Sequence, residues 1–160
     1  MNQASYLNLC RNVSLLLDQP DPEQLGNEGT LEHEGIQLAL FHDPEVVDDR
    51  LFCYVDIGPV NEAARQRIFE RLLTMNLLSG SKTSGVFALD PGSGNAIFCV
   101  HIMQPDRLSA EQLAGMLRAY VERARNLQQT VLRDVDDLPF VETVRQVFHL
   151  DDVASPSELA

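Results

Sequence analysis

Basic residues are scarce in this chain of 160 residues. Lys and Arg number 12 against 24 Asp and Glu, giving a formal charge of −12. Such a field repels nucleic-acid phosphate and anionic lipid, keeps the chain soluble, and favours basic or neutral partners. Tryptophan is absent, and aromatic residues make up only 6%. No apolar run approaches the roughly 18 residues of a membrane-spanning helix. The opening stretch MNQASYLNLCRNVSLLLDQPD has neither the basic start nor the continuous apolar core of a secretory signal. The cysteines are Cys10, Cys53 and Cys99. They form no CxxC pair and are odd in number, which fits a reducing cytoplasm better than an oxidising compartment.

What is present is ordinary globular material, with 44% hydrophobic and 22% charged residues. A chain of this length supports one domain with its own core. Tyr6, Leu9, Cys10, Val13, Leu16 and Leu17 recur at helical spacing. They predict a first helix over 5–18, capped by Ser5 and ended by Pro20 and Pro22. The period then drops to two. Ile36, Leu38 and Leu40 alternate with Gln37 and Ala39, and Leu51, Cys53, Val55 and Ile57 alternate with Phe52, Tyr54 and Asp56. With a short strand over Thr30–Glu34 before Gly35, and HDPEVVDDR as a hairpin loop, this predicts a three-stranded antiparallel meander.

A second helix over 62–77 follows, capped by Asn61, with a wide apolar stripe of Ala64, Ile68, Phe69, Leu72, Leu73 and Met75. Val86–Leu89 and Ala96–Met103 read as two further strands. The latter is apolar on both faces and is expected to be covered on both. Ser109 and Gln112 make a capping box that opens a third helix, with Leu113, Met116, Leu117, Tyr120, Val121, Ala124, Leu127 and Val131 in register. The order is α-β-β-β-α-β-β-α: an α+β fold, an antiparallel β-sheet with helices packed on it. Residues 1–133 form the single domain. Residues 134–160 are an extension with a short helix from Pro139 to Phe148 and a frayed tail.

The stretch from Gly80 to Thr83 invites a phosphate-binding reading, but a Walker loop needs G-x-x-x-x-G-K-[ST] between a strand and a helix. Here Ser81 precedes Lys82, a helix comes before and a strand after, so Gly80 is read as a helix-ending glycine. DPGSGN, Asp90–Asn95, lies between two strands and has hairpin-turn chemistry. His33, His42, His101 and His149 form no tight ligand pair. Cys99 and His101 share a strand face, with Cys53 as the nearest third ligand. Glu32 with Glu34, and Asp48 with Asp49, lie in polar stretches that read as solvated surface rather than acid–base pairs. Ser79, Ser81, Ser84 and Ser93 lack the G-x-S-x-G elbow. No catalytic residue, metal or cofactor is assigned.

The stretch from YVDIGPVNEAARQRIFERLLTMNLL through GVFALDPGSGNAIFCVHI to LSAEQLAGMLRAYVERARNL resembles the Tir-chaperone (CesT-like) family, the class I chaperones of bacterial type III secretion. The likeness spans roughly residues 3–133 and lies in the order and spacing of elements. Two departures stand out: the segment after Asp134, and Leu127 where the last helix of the family often has Trp.

The resemblance implies a cytoplasmic, non-enzymatic virulence chaperone that forms a homodimer. It would bind the N-terminal region of a secreted effector in extended form, fill apolar grooves and add a strand at a sheet edge, so keeping the effector soluble and export-competent. The secretion ATPase or export apparatus is a further partner; nucleic acid and membrane are not. The groove candidates are Leu31, Ile36, Leu38, Leu40 and Phe41. For Ile36, Leu38 and Leu40 the alternation reads more readily as core-facing, which leaves Leu31 and Phe41 the stronger pair. The dimer candidates are Ile68, Phe69, Leu72, Leu73, Phe98 and Val100. The rival readings are an adaptor or regulator of a folded partner, and a small-ligand protein or enzyme on a similar α+β scaffold.

Overall fold

A computed structural model of the chain describes residues 1–43, 49–79 and 85–133. Helix α1 (Gln3–Leu16) buries Tyr6, Leu9, Cys10 and Val13, the stripe its periodicity predicts. It starts earlier than predicted, because Asn2 rather than Ser5 is the cap. The Ser5 N–H donates to Asn2 Oδ1 at 2.8 Å, so Ser5 is the third residue of the first turn and supplies the donor that a cap satisfies. A five-residue helix, α2 (Gln24–Glu28), closes on Gly29 and buries only Leu25. One apolar residue in five carries no period, which is why the sequence does not announce it.

The strands are β1 (Thr30–His33), β2 (Ile36–Phe41), β3 (Arg50–Pro59), β4 (Gly85–Leu89) and β5 (Asn95–Met103). They form one sheet in the order β1-β2-β3-β5-β4, antiparallel throughout. The predicted meander is β1 to β3. The β4–β5 hairpin then docks with its second strand against β3, so β5 is central and β4 lies on the edge. The β1–β2 turn is the pair Glu34-Gly35, both at positive φ (52° and 80°), the geometry of a tight hairpin turn. Arg125 fastens this turn to the last helix, donating to the Glu34 carboxylate at 2.5 Å and its carbonyl at 2.8 Å. Pairing between β3 and β5 shifts register between Asp56 and Gly58. Gly58 has φ 119°, open to glycine and strained for any side chain. The Asp56 carboxylate accepts from the Gly58 N–H at 2.8 Å and from Asn95 Nδ2 at 2.8 Å and 3.1 Å, which holds the bulge in place.

Helix α3 (Arg65–Ser79) follows a 3₁₀ turn, Glu62–Ala64, whose cap is the predicted Asn61, accepting from the Ala63 N–H at 2.9 Å. Helix α4 (Ala110–Thr130) opens on the complete Ser109/Gln112 capping box and buries Leu113, Leu117, Val121, Ala124 and Leu127. Helices α1 and α4 pack on each other, α4 packs on β2 and β3, and α3 flanks β4. Beneath them Leu31, Leu38, Val55, Phe98 and Phe87 line up across all five strands and are buried. The helix-ending role of Gly80, residues 44–48 of the hairpin loop, and the 134–160 extension with its 139–148 helix lie outside the described residues.

Candidate protein-binding surfaces

The phosphate question is answered by geometry at the Asp90–Asn95 turn, while residues 80–83 lie outside the described residues. In the turn after β4 the Asp90 carboxylate accepts from the Ser93 hydroxyl at 2.6 Å and from the Gly92 and Ser93 N–H groups at 2.9 Å and 3.2 Å. The donors that a phosphate would need are held by the chain itself. These bonds, from Ser93 first and then the backbone of Gly92 and Ser93, hold the Asp90 carboxyl below its ordinary range.

The thiols are poor nucleophiles. Burial pushes the Cys10 thiol up to about 11 and the Cys53 thiol up to about 12, and it also raises that of Cys99, so each is protonated at neutral pH. Cys53 faces the helices and Cys99 faces away from them, so they cannot converge on one metal with His101. Glu32 accepts from Gln37 at 2.7 Å, while Glu34 pairs with Arg125. The two carboxylates have separate partners and do not form an acid–base pair.

Strand alternation gives the sheet an outer face, turned away from the helices. Register places Phe41, Phe52 and His101 in one row, and Thr30, Ala39, Tyr54, Cys99 and Val86 in the next. Ile97 and Ala88 follow beyond them. Phe41, Tyr54, Val86 and Met103 are 43%, 39%, 55% and 47% exposed. The Phe41 and Tyr54 rings lie 6.1 Å apart, and Phe52 meets His101 edge-on at 5.1 Å. Among the described residues no helix lies over this face. Within the described residues of one copy, β5 is covered on one side and not on both as expected. Ala96, Phe98, Val100 and Ile102 are buried, whereas Ile97 and Cys99 are half-buried and Met103 is exposed. The described helices come from one side only, so among the described residues nothing lies above an apolar residue on the other side.

A second apolar surface lies where α3 meets β4. Leu73 and Leu77 are 68% and 80% exposed. Phe69, Leu72, Leu73, Phe87, Ala88 and Leu89 line a cavity of about 250 Å³ beside them. The Arg65 guanidinium lies over the Phe69 ring at 5.0 Å. Fully burying one exposed leucine contributes roughly 1.5–3 kcal/mol, so two on one helix are a strong incentive to pair.

Several of the predicted site residues lie inside the core. Leu31, Ile36, Leu38 and Leu40 are at most 2% exposed. Of the groove candidates, Phe41 alone presents surface. Of the dimer candidates, Ile68, Leu72, Phe98 and Val100 are buried, Phe69 is half-buried and Leu73 is exposed. The β2 residues turn inward because their alternation is in phase with the helix-facing side of β3. Tyr54, Val86, Met103 and Leu77 were not singled out from sequence. The off-phase positions of β3, Phe52 and Tyr54, and the second apolar face of β5 were the signals available.

The model of the Tir chaperone protein (CesT) family matches residues 31–128. The chain belongs to that family. It is thereby a type III secretion chaperone whose task is effector binding. Two solved structures share its fold. One is the crystal structure of the ExsC-ExsE complex, with 16% identity and a TM-score of 0.66, covering 82% of this chain and 97% of the other. The second is the HopA1-SchA chaperone-effector complex, with 20% identity and a TM-score of 0.58, covering 80% of this chain and 96% of the other. A search of the curated proteins finds no match. No helix among the described residues is long and apolar enough to cross a membrane.

Proposed function

We propose that this chaperone works in the bacterial cytoplasm as a homodimer, without enzymatic activity, and holds the N-terminal segment of a secreted effector in extended form until export. The observation that supports this reading is the apolar side of the sheet that no described helix covers. A folded protein seldom leaves aromatic and aliphatic side chains contiguous and open to water unless something docks there. An extended polypeptide suits it, because alternate side chains can enter between the rows while its backbone stays solvated or pairs with a sheet edge. Phe41, Phe52, Tyr54 and Met103 form the client surface in this reading. Phe69, Leu73 and Leu77, with Val86 at the β4 margin, form the contact with the second copy, and Leu72 supports them from beneath.

The test is co-expression of the chaperone with an effector N-terminal segment, in wild type and in two variants. Tyr54→Asp places a charge on the client surface without touching the core. It is expected to weaken co-purification at least tenfold while leaving dimerisation intact. Leu73→Asp is expected to give a monomer. A wild-type particle that is monomeric across micromolar concentrations, or client capture indifferent to Tyr54→Asp, overturns the assignment. Retention of a folded partner in place of an extended one would favour the adaptor reading.

A further inference from the structure

The two edges of the sheet differ, and the hydrogen-bond register shows how. The Leu40 N–H donates to the Gly29 carbonyl at 2.7 Å, so the bonded pairs of the first hairpin fall at Leu31/Leu38 and His33/Ile36. The main-chain groups of Thr30 and Glu32 therefore point off the β1 edge, where no described strand lies. At the opposite side the Asp90 N–H donates to the Asn95 carbonyl at 2.9 Å. The bonded pairs there are Ala88/Ile97 and Val86/Cys99, and the groups of Gly85, Phe87 and Leu89 point off the β4 edge.

At the middle of that edge stands Asn76 of α3. Its Oδ1 accepts from the Phe87 N–H at 2.7 Å, and its Nδ2 donates to the Phe87 carbonyl at 3.0 Å. A carboxamide has the donor and acceptor of a peptide unit, so Asn76 takes the place of one residue of a neighbouring strand. A strand added at β4 would need Phe87, the central outward residue of only three, and would have to displace an amide tethered to a packed helix. Exposed edges are otherwise templates for unwanted pairing.

We propose that Asn76 is a strand plug: it closes β4 to strand addition by a client or by a second copy, and restricts edge pairing on this chain to β1. The clause about the client rests on the function proposed above; the plug itself does not. A second copy then meets α3 and β4 through side chains and does not extend the sheet across that boundary.

Amide hydrogen exchange followed by NMR on the chain alone, at the lowest workable concentration, tests this with wild type, Asn76→Leu and Asn76→Asp. Asn76→Leu removes both bonds. It is expected to speed exchange at the Phe87 amide about tenfold, while Ala88, bonded within the sheet, is unchanged. Asn76→Asp keeps an acceptor for the Phe87 N–H but sets a carboxylate oxygen against the Phe87 carbonyl, so Phe87 exchange should fall between wild type and Asn76→Leu, which guards against a leucine variant that fails to fold. Raising the concentration of Asn76→Leu should restore protection at Gly85, Phe87 and Leu89 together with a larger sedimenting species, as the freed edge pairs with another copy. Unchanged Phe87 exchange in both Asn76→Leu and Asn76→Asp, or assembly of Asn76→Leu identical to wild type, overturns the proposal. No client is present, so these outcomes leave the proposed client binding untouched.

Discussion

The two sides of the sheet are made of the same kinds of residue and differ in what covers them. On the inner side Leu38, Val55, Phe98 and Phe87 are buried under helices; on the outer side Ala39, Tyr54, Cys99 and Val86 run across the same strands with no described helix above them. The difference lies in which side the helices chose, because β5 is apolar on both. An apolar side chain stabilises the fold only where the chain itself covers it; elsewhere the same chemistry becomes binding surface.

The widest gap between the sides should appear on truncation. Leu38→Ala removes a side chain that is 2% exposed, and should cost about 2–5 kcal/mol of unfolding free energy through lost burial and an unfilled cavity. Tyr54→Ala, one strand over on the outer side, should cost well under ~1 kcal/mol and yet reduce client capture. Urea titration of both variants makes the comparison, and equal losses would dissolve it.

A smaller effect is expected where β4 approaches its neighbour. A Cβ on Gly85 would lie 2.6 Å from the Phe98 ring and 2.8 Å from the Cys99 carbonyl, closer than either can accept without β4 shifting. Gly85→Ala should destabilise by about 1–3 kcal/mol, readable as a lower thermal midpoint. Tyr6 sharpens the contrast from the helix side: its hydroxyl donates to the buried Leu40 carbonyl at 2.7 Å. Tyr6→Phe should cost about 1 kcal/mol and leave client binding unchanged.

The cysteines provide a labelling test of the same difference. Cys53 is buried on the inner side with its thiol pushed up to about 12, and Cys99 is half-buried on the outer side. Iodoacetamide on the native protein should modify Cys99 first and Cys53 only on unfolding, and bound client should slow the reaction at Cys99. The pH dependence follows from the sign of the shift. The thiol of Cys53 ionises near 9 when unfolded and near 12 when folded, so the folded state binds the proton more tightly. Its contribution to stability is complete below about pH 9 and is lost as pH rises from there toward 12. Thermal midpoints should fall over that window, and less steeply in Cys53→Val. The least effect is expected at the Asp90 turn. Its carboxyl is held below the ordinary 3.8, so its contribution is present above that pH and is lost only as pH falls through the lower folded value. Faster exchange of the Gly92 and Ser93 amides below pH 3.8, with the sheet intact, would show it.

Much of this was legible in advance, for local reasons. Each long helix carries a period, and the capping box at Ser109 and the cap at Asn61 involve neighbours within three residues. The hairpin chemistry of Asp90–Asn95 is equally local. The site was less legible. Leu31 and Phe41 looked equivalent as groove candidates, yet one is buried and the other is exposed; the sequence shows two alternating sets of residues but not which set a distant helix will cover. Asn76 gave no signal, because its partner Phe87 belongs to a strand that reaches α3 only in the folded chain.

Residue order alone decided the long helices and the strands, the acidic character and the family resemblance, since each depends on neighbours along the chain or on plain composition. Tertiary structure alone decided that β5 and not β4 pairs with β3, which sheet side the helices cover, and that an asparagine of α3 occupies a strand edge. Those outcomes come from contacts between segments far apart in sequence, where a side chain's role is set by what arrives opposite it.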